Sequence, residues 1–329
     1  MNINEPNFRS KKRVIIITGC GSGIGLELAR KLYRREDLNV VATARTKSLE
    51  QLKKTFTESD RFLMRELDIT SDDNIYSLIH EITMLFGRVD AVINNAAVCF
   101  RAVIEHMDVE SEMLQLKTNY LGPMSLIRAV LPIMREQRAG LVINVSSVSG
   151  MLAMPTMGSY SASKHALDGA TEALWYEARP FGIRVNLVQL GFVNSNAFKR
   201  VVLTNKAQLS VALGGPHSEY YRSMTPMIEK LMAFSFYPSN KIAAKIIKLI
   251  DKPRERLLLS LTPDAVIFGI MRKIIPAFIF NRFLYLLLPG SMKWGGLWKV
   301  DKSHQALTRG KEQAQKEIND KRYNEEELL

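Results

Sequence analysis

"TGCGSGIG", Thr18 to Gly25, follows directly on the apolar run Val14-Ile15-Ile16-Ile17. Glycine has no Cβ and takes positive φ readily, so it lets a chain turn sharply and lets a ligand reach backbone. Glycines at 19, 21, 23 and 25 therefore predict a strand that hands over to a helix around a ligand. Such a loop presents backbone N–H groups and a helix N-terminus, which is a seat for a pyrophosphate.

Working outward, short apolar runs recur at Val14–Ile17, Val40–Thr43, Phe62–Leu67, Val89–Ile93, Leu141–Val145, Ile183–Val188 and Leu257–Leu261. Helix-like stretches fill the gaps: 24–35, with Ile24, Leu28 and Leu32 at four-residue steps, 72–86 behind a cap candidate at Ser71, 109–137 and 159–179. Strands alternating with helices in this way predict a doubly wound α/β fold, a parallel sheet covered by helices on both faces. The organisation expected is an N-terminal arm (1–12), a nucleotide-binding catalytic domain (13–262) whose 196–237 segment closes over substrate, an apolar amphipathic extension (263–299) and a charged tail (300–329). No internal repeat is present.

Composition narrows the function. The chain has 329 residues, 47% of them apolar, which is enough for one large core and excludes general disorder. Two Cys and five His lie without CxxC or HxxxH spacing, so no metal site is expected, and free thiols at Cys20 and Cys99 fit a reducing compartment. The polar, basic start offers no secretory signal, and a cytoplasmic protein is expected. Formal charge is +12, and 13 Lys and Arg against four acids fall between Lys241 and Arg309. This surplus suits anionic surfaces or phosphorylated ligands; no nucleic-acid motif accompanies it, so nucleic acid is not an expected partner.

The spacing Thr-Gly-x-x-x-Gly-x-Gly resembles that of the short-chain dehydrogenase/reductase family, and separated motifs agree with it. "LDIT" at 67–70, "NNAA" at 94–97, Asn119, "NVSS" at 144–147 and "YSASK" at 160–164 extend the resemblance over roughly residues 12–262. "TGCGSGIGLELA" at 18–29, with the long C-terminal extension, is similar to steroid and retinol dehydrogenase-like members. The resemblance implies a Rossmann fold and an NAD(P)-dependent oxidoreductase that interconverts carbonyl and alcohol by hydride transfer. It assigns catalytic roles to Asn119, Ser147, Tyr160 and Lys164, with Tyr160 as acid/base, Ser147 on the substrate oxygen, Lys164 on the nicotinamide ribose and Asn119 holding a relay water. Ser146 is set aside because the family counts thirteen residues back from the tyrosine. Cofactor contacts fall to Thr18, Gly19, Gly21, Ser22, Gly23, Ile24, Gly25, Arg45, Asp68, Ile69, Asn95, Ala96, Lys164, Gly191, Val193 and Ser195, with Asp68 on the adenine amino group.

The Tyr-Lys pair also has its own chemical warrant. A free phenol has a pKa of about 10, so an ammonium four residues along one helix face is expected to stabilise phenolate. Cofactor choice is read at the end of the second strand, where Ala44 and Arg45 replace the acid typical of NAD enzymes. NADP(H) is therefore favoured over NAD(H). Three positions depart from the family pattern: Ala97 for Gly, Leu190 for Pro before Gly191, and Ser195 for Thr.

Phe198, Leu203, Leu213, Tyr220, Tyr221, Met224, Met227, Met232, Phe234 and Phe236 make the closing segment rich in aromatics and Met. They predict a small hydrophobic carbonyl or alcohol substrate, steroid, retinoid or lipid-like, although helix packing explains many of them equally well. An epimerase or dehydratase on the same fold is an alternative, but its usual GxxGxxG spacing is lacking; a non-catalytic NADP-binding regulator would be expected to have lost Tyr160 or Lys164. The stretch 264–299 is strongly apolar but interrupted by Arg272, Lys273, Pro276, Arg282 and Pro289, so it does not read as a spanning helix. It reads either as a lid or homo-oligomer interface, or as a peripheral membrane contact flanked by Trp294 and Trp298.

Overall fold

In a computed structural model, which describes residues 10–194 and 201–295, the seven apolar runs become one fully parallel sheet. Its strands are β1 (Arg13–Ile17), β2 (Leu38–Ala44), β3 (Phe62–Glu66), β4 (Ala91–Asn94), β6 (Gly140–Ser147), β7 (Ile183–Leu190) and β9 (Leu258–Ser260), in the order β3-β2-β1-β4-β6-β7-β9. A two-residue parallel pair, β5 (Phe100–Arg101) with β8 (Val202–Leu203), stands apart from it.

Period-two alternation divides each central strand between two cores. Ile15 and Ile17 face α1 (Gly23–Tyr33), α2 (Thr46–Thr55) and α9 (Ser239–Asp251), where Leu28, Leu32, Leu52, Ile242 and Ile246 bury. Val14 and Ile16 face α3 (Asp72–Phe86), α5 (Gly122–Gln137) and α6 (Gly158–Ala178) through Ile75, Leu126 and Leu174. Because strand order reverses beside β1 and β4, their C-terminal ends diverge and open a crevice. The glycine loop lies there.

Helix boundaries follow local chemistry. Ser71 caps α3 by accepting the Asn74 amide at 3.3 Å, and Gly87 ends it at φ +71. The stretch expected as one helix over 109–137 is three pieces: α4 (Val109–Leu116), a π-helical turn at Lys117–Leu121, and α5. Pro123 accounts for the break in part, since it brings no N–H to the carbonyl four residues back, that of Asn119. The remaining helices are α7 (Asn205–Leu213), α8 (Ser218–Ala233), α10 (Pro263–Ile274) and α11 (Ala277–Leu287), the last two separated at Pro276. No helix among the described residues is long and apolar enough to cross a membrane.

Candidate active site

The glycine loop is fixed by three strand ends. The Thr18 hydroxyl accepts the Asn95 and Ala96 amides, each at 3.0 Å. Asn95 Nδ2 donates back to the Thr18 and Gly19 carbonyls at 3.0 and 3.2 Å, and the Cys20 amide donates to Thr43 at 2.8 Å. A Cβ on Gly25 would overlap the Gly19 carbonyl, so this glycine lets α1 approach the loop. Gly19 and Gly21 lie against Ala96 and Ser48 in the same close packing. Gly23 shares a positive φ with Gly19, +55 against +73, but differs in that a Cβ there would meet no protein atom within 4 Å. Ser22 stands at the N-cap of α1 but makes no side-chain cap bond, and Ile24 packs on the core behind it. The first amides of α1 thus face the crevice without a side-chain acceptor, which fits a pyrophosphate.

At the nucleoside end, Ala44 is buried and Arg45 is exposed at the start of α2. The strand register sets Glu66 opposite Ala44, and Thr46 Oγ1 donates to Glu66 Oε1 at 2.6 Å. A carboxylate therefore does lie beside this corner, on the neighbouring strand, where a reading of β2 alone finds none. Asp68 is exposed, with Oδ1 accepting from the Thr70 amide and hydroxyl at 2.9 and 2.7 Å. Ile69 is buried, its carbonyl against Gly122.

Tyr160, Lys164 and Ser147 come together at the ends of β6 and α6. Lys164 is only 3% exposed, donates to the Val145 carbonyl at 3.0 Å and lies 5.9 Å from the centre of the Tyr160 ring. Ser147 accepts the Ser149 amide at 3.2 Å and faces the Tyr160 phenol, whose pKa it lowers. Ser146 points the other way, its hydroxyl bonded to Asp168. Asn119 is fully buried in the π turn. Its side chain is engaged by protein, accepting the Val98 amide and donating to the Val98 carbonyl, both at 2.9 Å, and donating to Ser163 Oγ at 3.0 Å. Ser163 in turn donates to the Tyr160 carbonyl at 2.7 Å. The expected water-holding role therefore does not fall to this side chain; it braces the start of α6.

The electrostatics differ from the sequence expectation. Burial pushes the Tyr160 phenol well above its ordinary value, and neighbouring Cys99 and Asp168 push the same way. Lys164 does not offset this, because its own ammonium is desolvated and lowered to about 8, against the raising influence of Asp168 and Cys99. In this state the proton resides on the phenol. Burial also holds both thiols, Cys20 and Cys99, at about 12, which keeps them protonated and unreactive.

Asp168 is the residue that sequence reading passed over. It accepts from Ser146 and, at 2.8 Å, from Gln189, and it lies four residues beyond Lys164 on the same helix face, a spacing that gives the signal. Asp264 is a second: at the start of α10 it accepts the Phe192 amide at 2.6 Å, while Thr262 accepts the Gly191 amide at 2.9 Å. The loop of Gly191 and buried Val193 is thus held from the C-terminal extension. Ser195 and Phe198 lie outside the described residues, as does the 300–329 tail.

The closing segment is packed differently from expectation. Tyr221 and Met224 are core, with Tyr221 OH accepting the Val103 amide at 3.1 Å, whereas Phe234 and Phe236 are exposed. Folding also gathers Glu105, His106 and His217, whose ligand atoms lie within 4.8 Å of one another, a grouping that linear His spacing does not reveal.

Comparison with known proteins agrees with this arrangement. A family model described as "short chain dehydrogenase" matches residues 13–206. The chain is 34% identical over 243 residues to a 3-ketodihydrosphingosine reductase of Bacteroides thetaiotaomicron, covering 73% of this chain and 84% of that one. It is 30% identical over 277 residues to dehydrogenase/reductase SDR family member 7B of Xenopus laevis, covering 82% and 80%. The crystal structure of a short-chain dehydrogenase from Streptomyces avermitilis superposes with a TM-score of 0.69 at 28% identity, over 84% of this chain and 98% of that one.

Proposed function

The chain belongs to the short-chain dehydrogenase/reductase family of oxidoreductases, and we propose that it works as an NADP(H)-dependent reductase of a hydrophobic, lipid-like ketone. The observation that carries the reading is the Tyr160–Lys164–Ser147 cluster at the open end of the sheet, with a phenol that keeps its proton at neutral pH. A protonated phenol suits the reductive direction, in which a general acid must deliver a proton to the carbonyl oxygen. The similarity to a 3-ketodihydrosphingosine reductase supports the substrate class.

The loop and strand ends fit a dinucleotide. Thr18, Gly19, Gly21, Ser22, Gly23, Ile24 and Gly25 would seat the pyrophosphate, Asp68 and Ile69 the adenine, Asn95, Ala96 and Lys164 the nicotinamide riboside, and Gly191 and Val193 the nicotinamide face; Ser195 follows them in sequence. Arg45 would take the 2′-phosphate, against the repulsion of Glu66 nearby. When bound, the reduced cofactor supplies a hydride to the carbonyl carbon. The chain's own residues do the rest. Ser147 donates to the carbonyl oxygen, Tyr160 O–H passes its proton to it, and Lys164 stabilises the phenolate left behind. Asn119 and Ser163 hold the Tyr160 backbone in place. Its Pro123-deprived carbonyl makes Asn119 the candidate for a water in the path that reprotonates Tyr160.

The test is consumption of NADPH and NADH by purified protein against long-chain 3-keto lipids, steroids, retinal and short sugars. The expected result is faster NADPH turnover with the long apolar ketones than with sugars. Turnover confined to sugars, or none with any ketone while NADPH binds, would overturn the reading.

A further inference from the structure

Helices α10 and α11 leave their apolar side chains on the outside. In α10, Ile267, Ile270 and Ile274 recur at three- and four-residue steps and are exposed, Ile274 by 75%. In α11, Ile279, Phe283 and Leu286 do the same, and Phe278 beside them is 76% exposed; only Phe280 of that helix is buried. Just beyond, Met292 is 80% exposed. Single exposed apolar residues are ordinary, but a run of them on two consecutive helices is not.

Charge names the occupant. Between Pro263 and Gly295 stand Arg272, Lys273, Arg282 and Lys293, all exposed, against a single acid, Asp264. That carboxylate is turned inward onto the Phe192 amide, and none of the four cations makes an ion pair among the described residues. Arg272 lies over the Phe280 ring, 5.5 Å from its centre, but no carboxylate neutralises it or the other three. Cations without a carboxylate partner bordering an apolar face suit a layer that offers hydrocarbon beneath anionic headgroups, which a second copy of this basic surface does not. Neither helix is long enough to cross such a layer.

The surface is also anchored to the site. Asp264 and Thr262 hold the loop at Gly191 and Phe192. Beyond α11, Trp294 stacks on Tyr220 with ring centres 4.5 Å apart and donates to Ser223 at 3.1 Å, both on α8. We propose that the outer face of α10 and α11 is a docking surface for one leaflet of an anionic phospholipid membrane, holding the mouth of the active site against the lipid phase. The docking does not depend on which ketone is reduced.

The experiment is co-sedimentation of the full chain with phosphatidylcholine vesicles, with and without phosphatidylserine. Two variants accompany it: Ile270→Asp with Phe283→Asp, and Arg272→Gln with Lys273→Gln and Arg282→Gln. All the changed side chains are exposed, and NADPH binding and circular dichroism check that each variant is folded. The full chain is expected to pellet with phosphatidylserine vesicles and to release with salt. The apolar variant should stay in the supernatant, and each cation removed should weaken partition about fivefold. Wild type left in the supernatant with both lipids, or an apolar variant that pellets like wild type, overturns the proposal. So does a wild-type dimer that the apolar variant dissociates while neither protein binds vesicles, which would make the face an interface between copies.

Discussion

Helix α6 and helix α11 bury opposite kinds of side chain. In α6 the inward positions include Ser159, Ser161, Ser163, Lys164 and Thr171, and in α11 the outward positions include Phe278, Phe283 and Leu286. Burying hydroxyls and an ammonium costs stability unless they are hydrogen-bonded, and here Ser159, Ser163, Lys164 and Thr171 each have a partner. Exposing a run of aromatics and leucines forgoes burial worth about 25 cal/mol per Å². Neither arrangement serves packing alone. Where burial inverts the usual preference, function is the physical reason to look for.

The largest effect expected on the α6 side is that of Tyr160→Phe, which removes the proton donor and keeps the ring. Turnover should fall by ~10²–10⁴-fold while NADPH affinity, measured by fluorescence titration, stays within a fewfold of wild type. A variant that turns over at the wild-type rate would reduce α6 to a structural helix with an unusual interior.

Next in size is the cofactor corner. Arg45→Asp should shift the KM ratio of NADPH to NADH towards NADH by about ten- to a hundredfold, since a charge-assisted bond contributes about 1.5–3 kcal/mol. Glu66→Gln should move the same ratio a smaller step the other way. If the wild type already prefers NADH, Arg45 does not select the phosphate.

Lys164 gives a smaller, pH-dependent effect. Its folded pKa, about 8, lies below the ordinary 10.5. The folded state therefore binds fewer protons than the unfolded one between these values, and stability rises with pH across that window. Lys164→Met should be the more stable protein at pH 7, by about 1–2 kcal/mol in denaturant titrations, less than the full shift implies because Asp168 loses its cation. The difference should shrink as pH approaches 10. A constant difference would mean that the lysine is not buried charged.

On the outer face that α11 shares with α10 the expected effect on the fold is the smallest. Ile274→Ser, at a mostly exposed position, should change stability by no more than about 0.5 kcal/mol and leave NADPH binding alone. A larger loss would show that α10 is packed against something in solution.

Much of this was legible in the chain. Seven apolar runs became seven strands: β1, β4, β6 and β7 are Val/Ile/Leu-rich, the pattern of strands covered on both faces, while β3, FLMRE, alternates buried and part-exposed positions. The Tyr-Lys spacing and the glycine loop survived folding because both are local, set by one helix turn and one strand-to-helix corner. What the chain hid was non-local. Glu66 reaches the cofactor corner only through the register of β3 on β2. Asp264 reaches the loop after β7 from 72 residues away. Asn119 reads as a relay residue in one dimension, and the chain did not show that the Val98 backbone takes its side chain, which leaves only its carbonyl for a relay water. Apolar periodicity at 264–299 cannot tell an inward face from an outward one, and only the exposure of Ile274 and Phe278 separates them.

The central claim is that Tyr160 assists hydride transfer from NADPH to a hydrophobic ketone. Its most direct test is NADPH deuterated at the transferring carbon, incubated with a long-chain 3-keto lipid, with the product alcohol weighed by mass spectrometry. Wild type should yield an alcohol one mass unit heavier, with the deuterium on the carbinol carbon, and Tyr160→Phe should yield almost none while still binding the cofactor. An alcohol without the label, or equal labelled product from the variant, would contradict the account.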